Sequence, residues 1–388
     1  MKSPVMKSPL TKNANNTARC AIEGTFPSQR GLSLVELMIS ITIGLLILAS
    51  LTTLFVNQSK TRAELDKSNR MIDNGRYAME LLSDSLRMAG YYGEFSPTST
   101  SPANPTVTLP VPCSTTAADI SAALQLSVQG YEAAGQNSQI ASPPCNLAYD
   151  AVDADFRLKA GSDILVIRRA STTSFAQDAA HIMPLPAPQT AAPNDGTIYL
   201  QASGCEHDAS PYYRMSADPT ALTLGQKNIT TPAPLNNCVA AAGVTTIAAP
   251  YADLRAFKVE VYFVSPDNKQ GDAIPTLKRR ELTKTGFVTT PLVEGIEYLQ
   301  IDYGLDSNDD GAPDSYVKET TVANWRNVTA ARINILARNS ESTRGYADTK
   351  TYSLGLAGTF GAFNNDYKRH VYTQFVRLTN PAGRKELQ

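Results

Sequence analysis

The chain begins with a polar stretch and then passes into one long apolar run. Residues 1–31 contain three prolines and show no helical period. The run Leu32–Val56, LSLVELMISITIGLLILASLTTLFV, contains a single charged residue, Glu36. As a helix its 25 residues would extend roughly 37 Å, enough to cross about 30 Å of hydrocarbon. The pattern therefore predicts a membrane-spanning helix over 32–56.

A cleaved secretory signal is the ordinary alternative for such an N-terminus. The apolar run is longer than the about 7–15 residues of a signal-peptide core, and no A-x-A cleavage site follows it. Five basic residues and one acid precede the run, which predicts a cytoplasmic N-terminus and translocation of the remainder. These features favour a retained anchor.

Residues 57–90 continue the predicted helix beyond the membrane. Apolar side chains recur every seven residues along it, at Leu65, Ile72, Met79 and Leu86. This narrow stripe either joins other chains or packs on the protein's own head, and we favour packing for the part after Gly75. A glycine inside a helix costs about 1 kcal/mol relative to alanine, so Gly75 allows a bend or a loosened turn there. Gly90 and Gly93 predict the helix end.

Alternation of apolar and polar residues becomes clear after residue 253 and predicts strands. These strands are expected at 257–263, 298–303, 332–337 and 371–378. Lys278–Glu281 is expected to be a further strand with a solvated face. Residues 95–250 are rich in Ala, Ser, Thr, Pro and Asn, and only Ile164–Ile167 and Thr197–Leu200 are predicted as short strands there. The whole pattern predicts an α+β fold, with an antiparallel sheet packed on the N-terminal helix.

Composition narrows the class of protein. The 388 residues carry a net charge of −1, without the basic excess typical of nucleic-acid-binding proteins. Three scattered histidines and the absence of GxSxG, Walker A and HExxH motifs leave no candidate catalytic site. We therefore expect no enzyme, no nucleic acid and no small-molecule substrate.

The cysteines indicate disulfides. Cys20 lies in the segment before the apolar run, and four remain on the side predicted to be translocated: Cys113, Cys145, Cys205 and Cys238. In an oxidising compartment an even number favours disulfides, and four cysteines allow three connectivities. The spacings favour Cys113–Cys145 and Cys205–Cys238. A zinc site is disfavoured because no CxxC pair is present.

One acidic loop has the spacing of a calcium site. Asp306, Asn308 and Asp310 match positions 1, 3 and 5 of a calcium loop, Gly311 matches its turn glycine, and Asp314 matches position 9. Position 12, where a bidentate Glu belongs, is Val317. The alternative is a polar hairpin turn with solvated carboxylates. Calcium is thus the only candidate cofactor.

Glu36 is costly in a membrane, by about 2.5–3.5 kcal/mol or more for a charge at the bilayer centre, unless it is paired. It lies five residues beyond Gly31. If the chain were cut between Gly31 and Leu32, the new α-ammonium would begin the helix. Glu36 could then pair with that amine, its own or a neighbour's. The segment thus predicts both processing and assembly.

Gly31 followed by an apolar stretch with Glu at the fifth mature position resembles the class III signal of type IV pilins and type II secretion pseudopilins. The resemblance implies cytoplasmic-side cleavage by a prepilin peptidase and N-methylation of Leu32. It also implies retention of the apolar helix as the filament core. Leu32 departs from the family's usual Phe, and the leader is long, so translation could start at Met6.

Two further segments narrow the resemblance. NGR at 74–76 with LRMAGYYG at 86–93 is similar to a segment of PilW-type minor pilins, and 253–378 resembles their C-terminal half more loosely. The implied domains are a leader at 1–31, helix halves at 32–56 and 57–90, a variable loop-rich part of the head at 91–250 containing the disulfides, and a β-sheet part at 251–388.

The implied function is a minor pilin that primes assembly and sits at or near the filament tip. Its implied partners are other minor pilins, the major pilin, prepilin peptidase and the inner membrane. The precursor would lie in the inner membrane with a periplasmic head before reaching the pilus and the cell surface, with roles in adhesion and twitching motility. A type II secretion pseudopilin of the J type and a tip adhesin using 95–250 are the alternatives.

Overall fold

The computed structural model describes residues 31, 33–93, 95–97, 109–175, 192–203, 213–222 and 252–387. The chain divides into two units, Met1–Thr61 and Arg62–Gln388. The boundary falls within the first helix, α1, which spans Leu34–Met88. The predicted long helix is confirmed, since a run of apolar residues is followed by strong helix formers.

Two further α-helices, four short 3₁₀ helices and thirteen strands follow in the described part of the chain. The α-helices are α2, Ala117–Ala122, and α3, Thr379–Glu386. The strands are β1 Val128–Tyr131, β2 Ile164–Phe175, β3 Tyr199–Ala202, β4 Tyr213–Ser216, β5 Leu254–Ser265, β6 Thr276–Thr283, β7 Gly286–Glu294, β8 Ile296–Leu305, β9 Ser315–Val317, β10 Val328–Arg338, β11 Thr351–Ser353, β12 Thr359–Gly361 and β13 Arg369–Arg377.

The strands form antiparallel sheets, as the alternating pattern predicted. In the larger sheet the order is β1-β2-β5-β3-β4, and β6 and β7 continue from the other half of β5. The smaller sheet has the order β13-β10-β8-β9, and β11 pairs with β12. The α+β fold is therefore confirmed. The middle of the chain is less loop-rich than expected, because it supplies β1 to β4 of the larger sheet.

The second half of α1 packs on both sheets and forms the main core. Its buried side chains include Met79 and Leu86 of the predicted stripe after Gly75, and Leu82 beside them. They contact inward-facing residues of β2, β5, β8 and β10 in one apolar cluster. Leu65, earlier in the stripe, is exposed. The expectation that the later stripe packs on the head is confirmed.

Gly75 lies inside the continuous helix, where it makes room for a neighbouring strand. The helix continues through Gly75, and a Cβ built there would lie 2.2 Å from Cε2 of Tyr372. The tyrosine hydroxyl also donates to the carbonyl of Ile72 at 3.3 Å. The glycine therefore lets β13 approach the helix, and its low helix propensity is offset by this close packing.

The expectation of a solvated face at Lys278–Glu281 is wrong for Lys278. Lys278 is fully buried, and its ammonium donates to the carbonyls of Ala154 at 2.7 Å and Asn268 at 3.1 Å. The Asp155 carboxylate lies 3.5 Å away. A buried ammonium requires such partners, and here Ala154 and Asp155 come from a loop distant in sequence.

Candidate assembly site

The first half of α1 presents an exposed apolar surface. Within the described residues one helix is long and apolar enough to cross a membrane, and no residue of its most apolar window is buried. Large side chains such as Leu46 and Phe55 are 69% and 72% exposed. A soluble core helix would hide these groups, so this surface requires lipid or other apolar helices around it.

The few polar side chains on this surface satisfy themselves within the helix. Their hydroxyls donate to carbonyls three or four residues earlier, in Ser40, Thr42, Ser50, Thr52 and Thr53. Hydrocarbon offers no hydrogen-bond partners, so this bonding suits a membrane segment.

Glu36 stands apart from these groups. It lies in the first turn of α1, where the helix dipole favours a carboxylate. Within the described residues the structure gives its carboxylate no ion-pair partner. Gly31 is exposed with open space around it, whereas Leu32 lies outside the described residues. The carboxylate is thus available for a cation from outside the described part of the chain.

The segment that resembles PilW-type pilins joins α1 to the head. Asn74 donates from Nδ2 to the carbonyl of Glu294 at 3.0 Å. Gly90 and Gly93 both adopt φ of +69°, and built Cβ atoms there would lie 2.4 Å from Ser127 Oγ and 2.6 Å from Arg255 Nε. These positions need glycine because of the left-handed backbone and the close neighbours.

The C-terminus of α1 is closed by α3. Asn380 donates from Nδ2 to the carbonyls of Arg87 at 3.3 Å and Ala89 at 3.1 Å. Arg384 donates to the carbonyl of Gly90 at 2.9 Å. These groups satisfy carbonyls that the helix itself leaves unbonded, and a cation there suits the helix dipole. Sequence reasoning missed this helix, because its apolar pattern is too short to be distinctive.

A polar cluster ties α1 to the head at the other end of their contact. Glu64 accepts from Thr343 Oγ1 at 2.7 Å and Lys368 Nζ at 3.1 Å. The bond from Thr343, followed by that from Lys368, lowers the pKa of Glu64 to about 2. Lys67 donates to the carbonyl of Ser342 at 2.8 Å. The head therefore holds α1 from residue 64 to its end.

One of the proposed disulfides falls within the described residues. Cys113 and Cys145 form a disulfide with Cα atoms 5.2 Å apart. Cys145 is buried among apolar residues of the larger sheet, and Cys113 packs against the same cluster. Cys20, Cys205 and Cys238 lie outside the described residues.

The candidate calcium loop is folded around its own hydrogen bonds. Asp306 is fully buried and accepts from the backbone N–H of Asp309 at 2.8 Å and of Gly311 at 2.9 Å. The Lys385 ammonium lies 2.7 Å from Asp309 and 3.5 Å from Asp306.

The remaining carboxylates of the loop bond locally. Asp314 accepts from both the backbone and hydroxyl of Ser307, and Asp310 accepts from Asn308. Within the described residues no three acidic, histidine or cysteine side chains converge on a metal position. The hydrogen bonds of the loop itself thus engage the carboxylates of Asp306, Asp310 and Asp314.

Two segments of the chain match known protein families. Residues 27–52 match the prokaryotic N-terminal methylation motif. Residues 261–380 match the family described as Type IV Pilus-assembly protein W. Among curated proteins no significant match is found.

A solved structure of a type IV-like pilin from Thermus thermophilus is also similar. It shares 18% identity over 36% of this chain and 72% of that chain, with a TM-score of 0.21. A score this low does not establish a shared fold. The two family matches confirm the resemblance to a PilW-type minor pilin of a type IV pilus. The N-terminal part of the chain has the motif of a methylated, membrane-anchored precursor.

Proposed function

We propose that this PilW-type minor pilin primes pilus assembly and lies at or near the filament tip, where it recruits other minor pilins. The observation that carries the proposal is the exposed apolar helix, which has in its first turn a carboxylate without an ion-pair partner among the described residues. Such a helix needs neighbours both for its surface and for Glu36. The C-terminal match favours the pilus over a type II secretion filament.

The proposed mechanism begins in the inner membrane. The apolar half of α1 holds the precursor there, with the head in the periplasm. Prepilin peptidase cuts after Gly31, and Leu32 becomes the methylated N-terminus. Glu36 then pairs with the α-ammonium of an adjoining subunit, because an unpaired carboxylate in hydrocarbon is unfavourable. This ion pair would fix the axial position of one subunit relative to the next.

The role of the head is to select partners. Its large size suits a tip position, since a bulky domain would crowd a helical stack of subunits. We propose a structural role for the protein in the filament and no catalytic role. The finished filament would display the head at the cell surface.

The adhesin alternative has to be tested on surface residues. It places a binding surface in 95–250, but β1 to β4 of that range are strands of the larger sheet. Deleting the range would therefore remove part of the core. Substitutions at exposed positions such as Val152, which is 75% exposed, test adhesion without that loss.

The first experiment is the intact mass of the membrane-extracted chain from cells with and without prepilin peptidase. We expect a species that begins at N-methyl-Leu32 only when the peptidase is present. A chain that keeps residues 1–31 in both cells, or is cut elsewhere, would contradict the mechanism.

A further inference from the structure

A polar cavity of about 270 Å³ lies beside α3 in the head. Its walls come from α3, from the short 3₁₀ helix Trp325–Asn327, from the loop 306–314 and from the turn before β1. The volume is close to the lower limit of about 300 Å³ for small-molecule sites, and most of the lining side chains are polar or charged. The cavity therefore suits a small polar ligand.

The charged side chains of the lining are three cations and one carboxylate, namely Arg326, Arg384, Lys385 and Asp309. The ammonium of Lys385 lies 2.7 Å from the carboxylate of Asp309, so these two charges compensate each other. The guanidiniums of Arg326 and Arg384 form no ion pair within the described residues. The cavity thus keeps two positive charges.

These two guanidiniums differ from others in the head that have little exposure. Carboxylates compensate such groups elsewhere, in the pairs Arg169–Glu260, Arg332–Asp302 and Arg369–Asp348. Within the described residues Arg384 makes one hydrogen bond, to the carbonyl of Gly90 at 2.9 Å. Burial lowers the pKa of Arg384, because the charged form is desolvated. A nearby anion would offset that cost.

Positive charge also lies directly behind the cavity wall. The backbone N–H of Arg168 donates to the carbonyl of Ser127, which lines the cavity. The guanidinium of Arg168 is fully buried and donates to the Leu126 carbonyl at 3.3 Å and to Oε1 of Gln129 at 2.7 Å. Burial lowers its pKa to about 10. The surroundings of the cavity thus favour a negative group inside it.

The neighbouring stretch of sequence does not supply that group. Pro97 lines the cavity, and residues 98–108, which follow it, contain no Asp or Glu. A guanidinium presents two parallel N–H donors, which match the oxygens of a carboxylate or a phosphate. An oxyanion from a separate molecule is therefore the chemistry that fits the cavity.

We propose that this cavity binds a small organic anion, whose carboxylate or phosphate group is held by Arg326 and Arg384. The volume admits a molecule of metabolite size. Because Arg384 also bonds the carbonyl of Gly90 after α1, the bound anion would stabilise the junction of α1 with α3. The inference does not depend on the proposed role in the filament.

Trp325 gives a direct readout of the cavity, since it lines the cavity and is the single tryptophan of the chain. The full chain in detergent is titrated separately with sodium phosphate and with citrate, at an ionic strength held constant with sodium chloride. We expect a saturable change of tryptophan fluorescence with at least one anion. The same anion should raise the melting temperature as its concentration increases.

Two variants with the same change of charge test the site. Arg326→Gln removes a cation of the lining, and the exposed Arg344→Gln removes one that does not line the cavity. We expect Arg326→Gln to weaken anion binding about tenfold and Arg344→Gln to leave it close to wild type. Melting without added anion shows whether both variants are folded.

The outcomes separate the sources of the anionic group. A response to citrate alone would support a carboxylate, and a response to phosphate alone would support a phosphate. No saturable change in wild type would overturn the proposal, as would equal weakening by both variants. Binding that appears only in Glu94→Gln would also overturn it, by assigning the cavity to the carboxylate of Glu94, a residue outside the described ones.

Discussion

Gly75 illustrates how a single residue is chosen by what lies against it. Its position in the middle of a helix is unfavourable by propensity, yet the Tyr372 ring fills the space that a side chain would occupy. The tyrosine comes from the last strand of the chain. The residue therefore marks a contact between two segments about 300 positions apart, whereas the local sequence showed only a place where the helix could bend or loosen.

We expect Gly75→Ala to destabilise the head by about 1–3 kcal/mol, because overpacking outweighs the better helix propensity. Gly383→Ala is the matched control, since nothing lies within 4 Å of a Cβ built there in α3. Thermal unfolding of the full chain in detergent measures both variants. Equal melting temperatures for the two would contradict the role given to Tyr372.

Asp163 is a second residue whose neighbours determine its chemistry. Its two oxygens accept from the backbone N–H of Ala133 and of Ile301, each at 2.9 Å. Complete burial raises its pKa well above the ordinary value. It joins the loop before β2 to β8, and so links the two sheets.

We expect Asp163→Asn to cost about 1–3 kcal/mol of unfolding free energy, because the amide nitrogen would face a backbone donor. Denaturant unfolding of the full chain measures this loss. The exposed Asp153→Asn serves as the control and should change stability little. A stable Asp163→Asn chain would show that one of the two backbone bonds is dispensable.

Calcium binding in the loop 306–314 stays a proposal, and Lys385 is the residue that tests it. The ammonium lies beside Asp306 and Asp309, where a cation would have to approach. If calcium binds, Lys385→Met should bind it more tightly than wild type in equilibrium dialysis at millimolar free ion. Retention by neither chain would remove the proposal.

Among the elements, the stability of the junction between α1 and the head depends on pH through Glu64. Its pKa is about 2 in the folded chain against an ordinary value of 4.5. A carboxyl with a lowered folded pKa stabilises fully above its unfolded pKa, and this contribution is lost as pH falls towards the folded pKa. The relevant window is therefore from about 4.5 down to about 2.

We expect the melting temperature of wild type to exceed that of Glu64→Gln near neutral pH and the difference to shrink below pH 4.5. The partial exposure of Glu64 keeps the difference small. Melting of both full chains across this pH range measures it. A difference that is constant with pH would contradict a role for the charged carboxylate.

The disulfide between Cys113 and Cys145 is expected to stabilise the segment that contains α2. It closes a loop between Cys113 and Cys145, with a sequence separation of 32. On the chain-entropy account such a loop contributes about 3–4 kcal/mol. We expect reduction, or the double variant with serine at both positions, to lower the midpoint of denaturant unfolding by a corresponding amount. An unchanged midpoint would show that α2 and its surroundings are held by packing alone.

For the whole molecule, strongly periodic or compositionally extreme segments could be predicted from the sequence. The alternation from Phe257 to Phe263 predicted β5, and the run after Gly31 predicted the first half of α1. Buried polar contacts could not be predicted, because their partners are distant. The sequence alone predicts a surface position for Lys278, because it does not show that the carbonyl of Ala154 lies beside the ammonium. The elements β1, β4 and α3 are too short to show a clear hydrophobic period.

The proposed role of Glu36 concerns assembly of the whole chain. We expect Glu36→Ala to leave membrane insertion and the mature mass unchanged and to reduce incorporation into filaments, because the α-ammonium of the neighbouring subunit would lose its carboxylate partner. Immunodetection in sheared filament and membrane fractions measures it. Glu80→Ala, on the exposed side of the later helix, is the control. Normal incorporation of Glu36→Ala would contradict the pairing.

The closure of α1 by α3 has a consequence for how the protein is made. The residues that satisfy the end of the first helix are synthesised 293 and 294 residues after the carbonyls that they bond. Until Asn380 and Arg384 have been synthesised, these carbonyls have only water as a partner. Chains shortened by a premature stop before position 380 would keep their anchor but expose an unfinished helix end. We therefore expect such shortened chains to be less stable where α1 meets the head than chains that include α3.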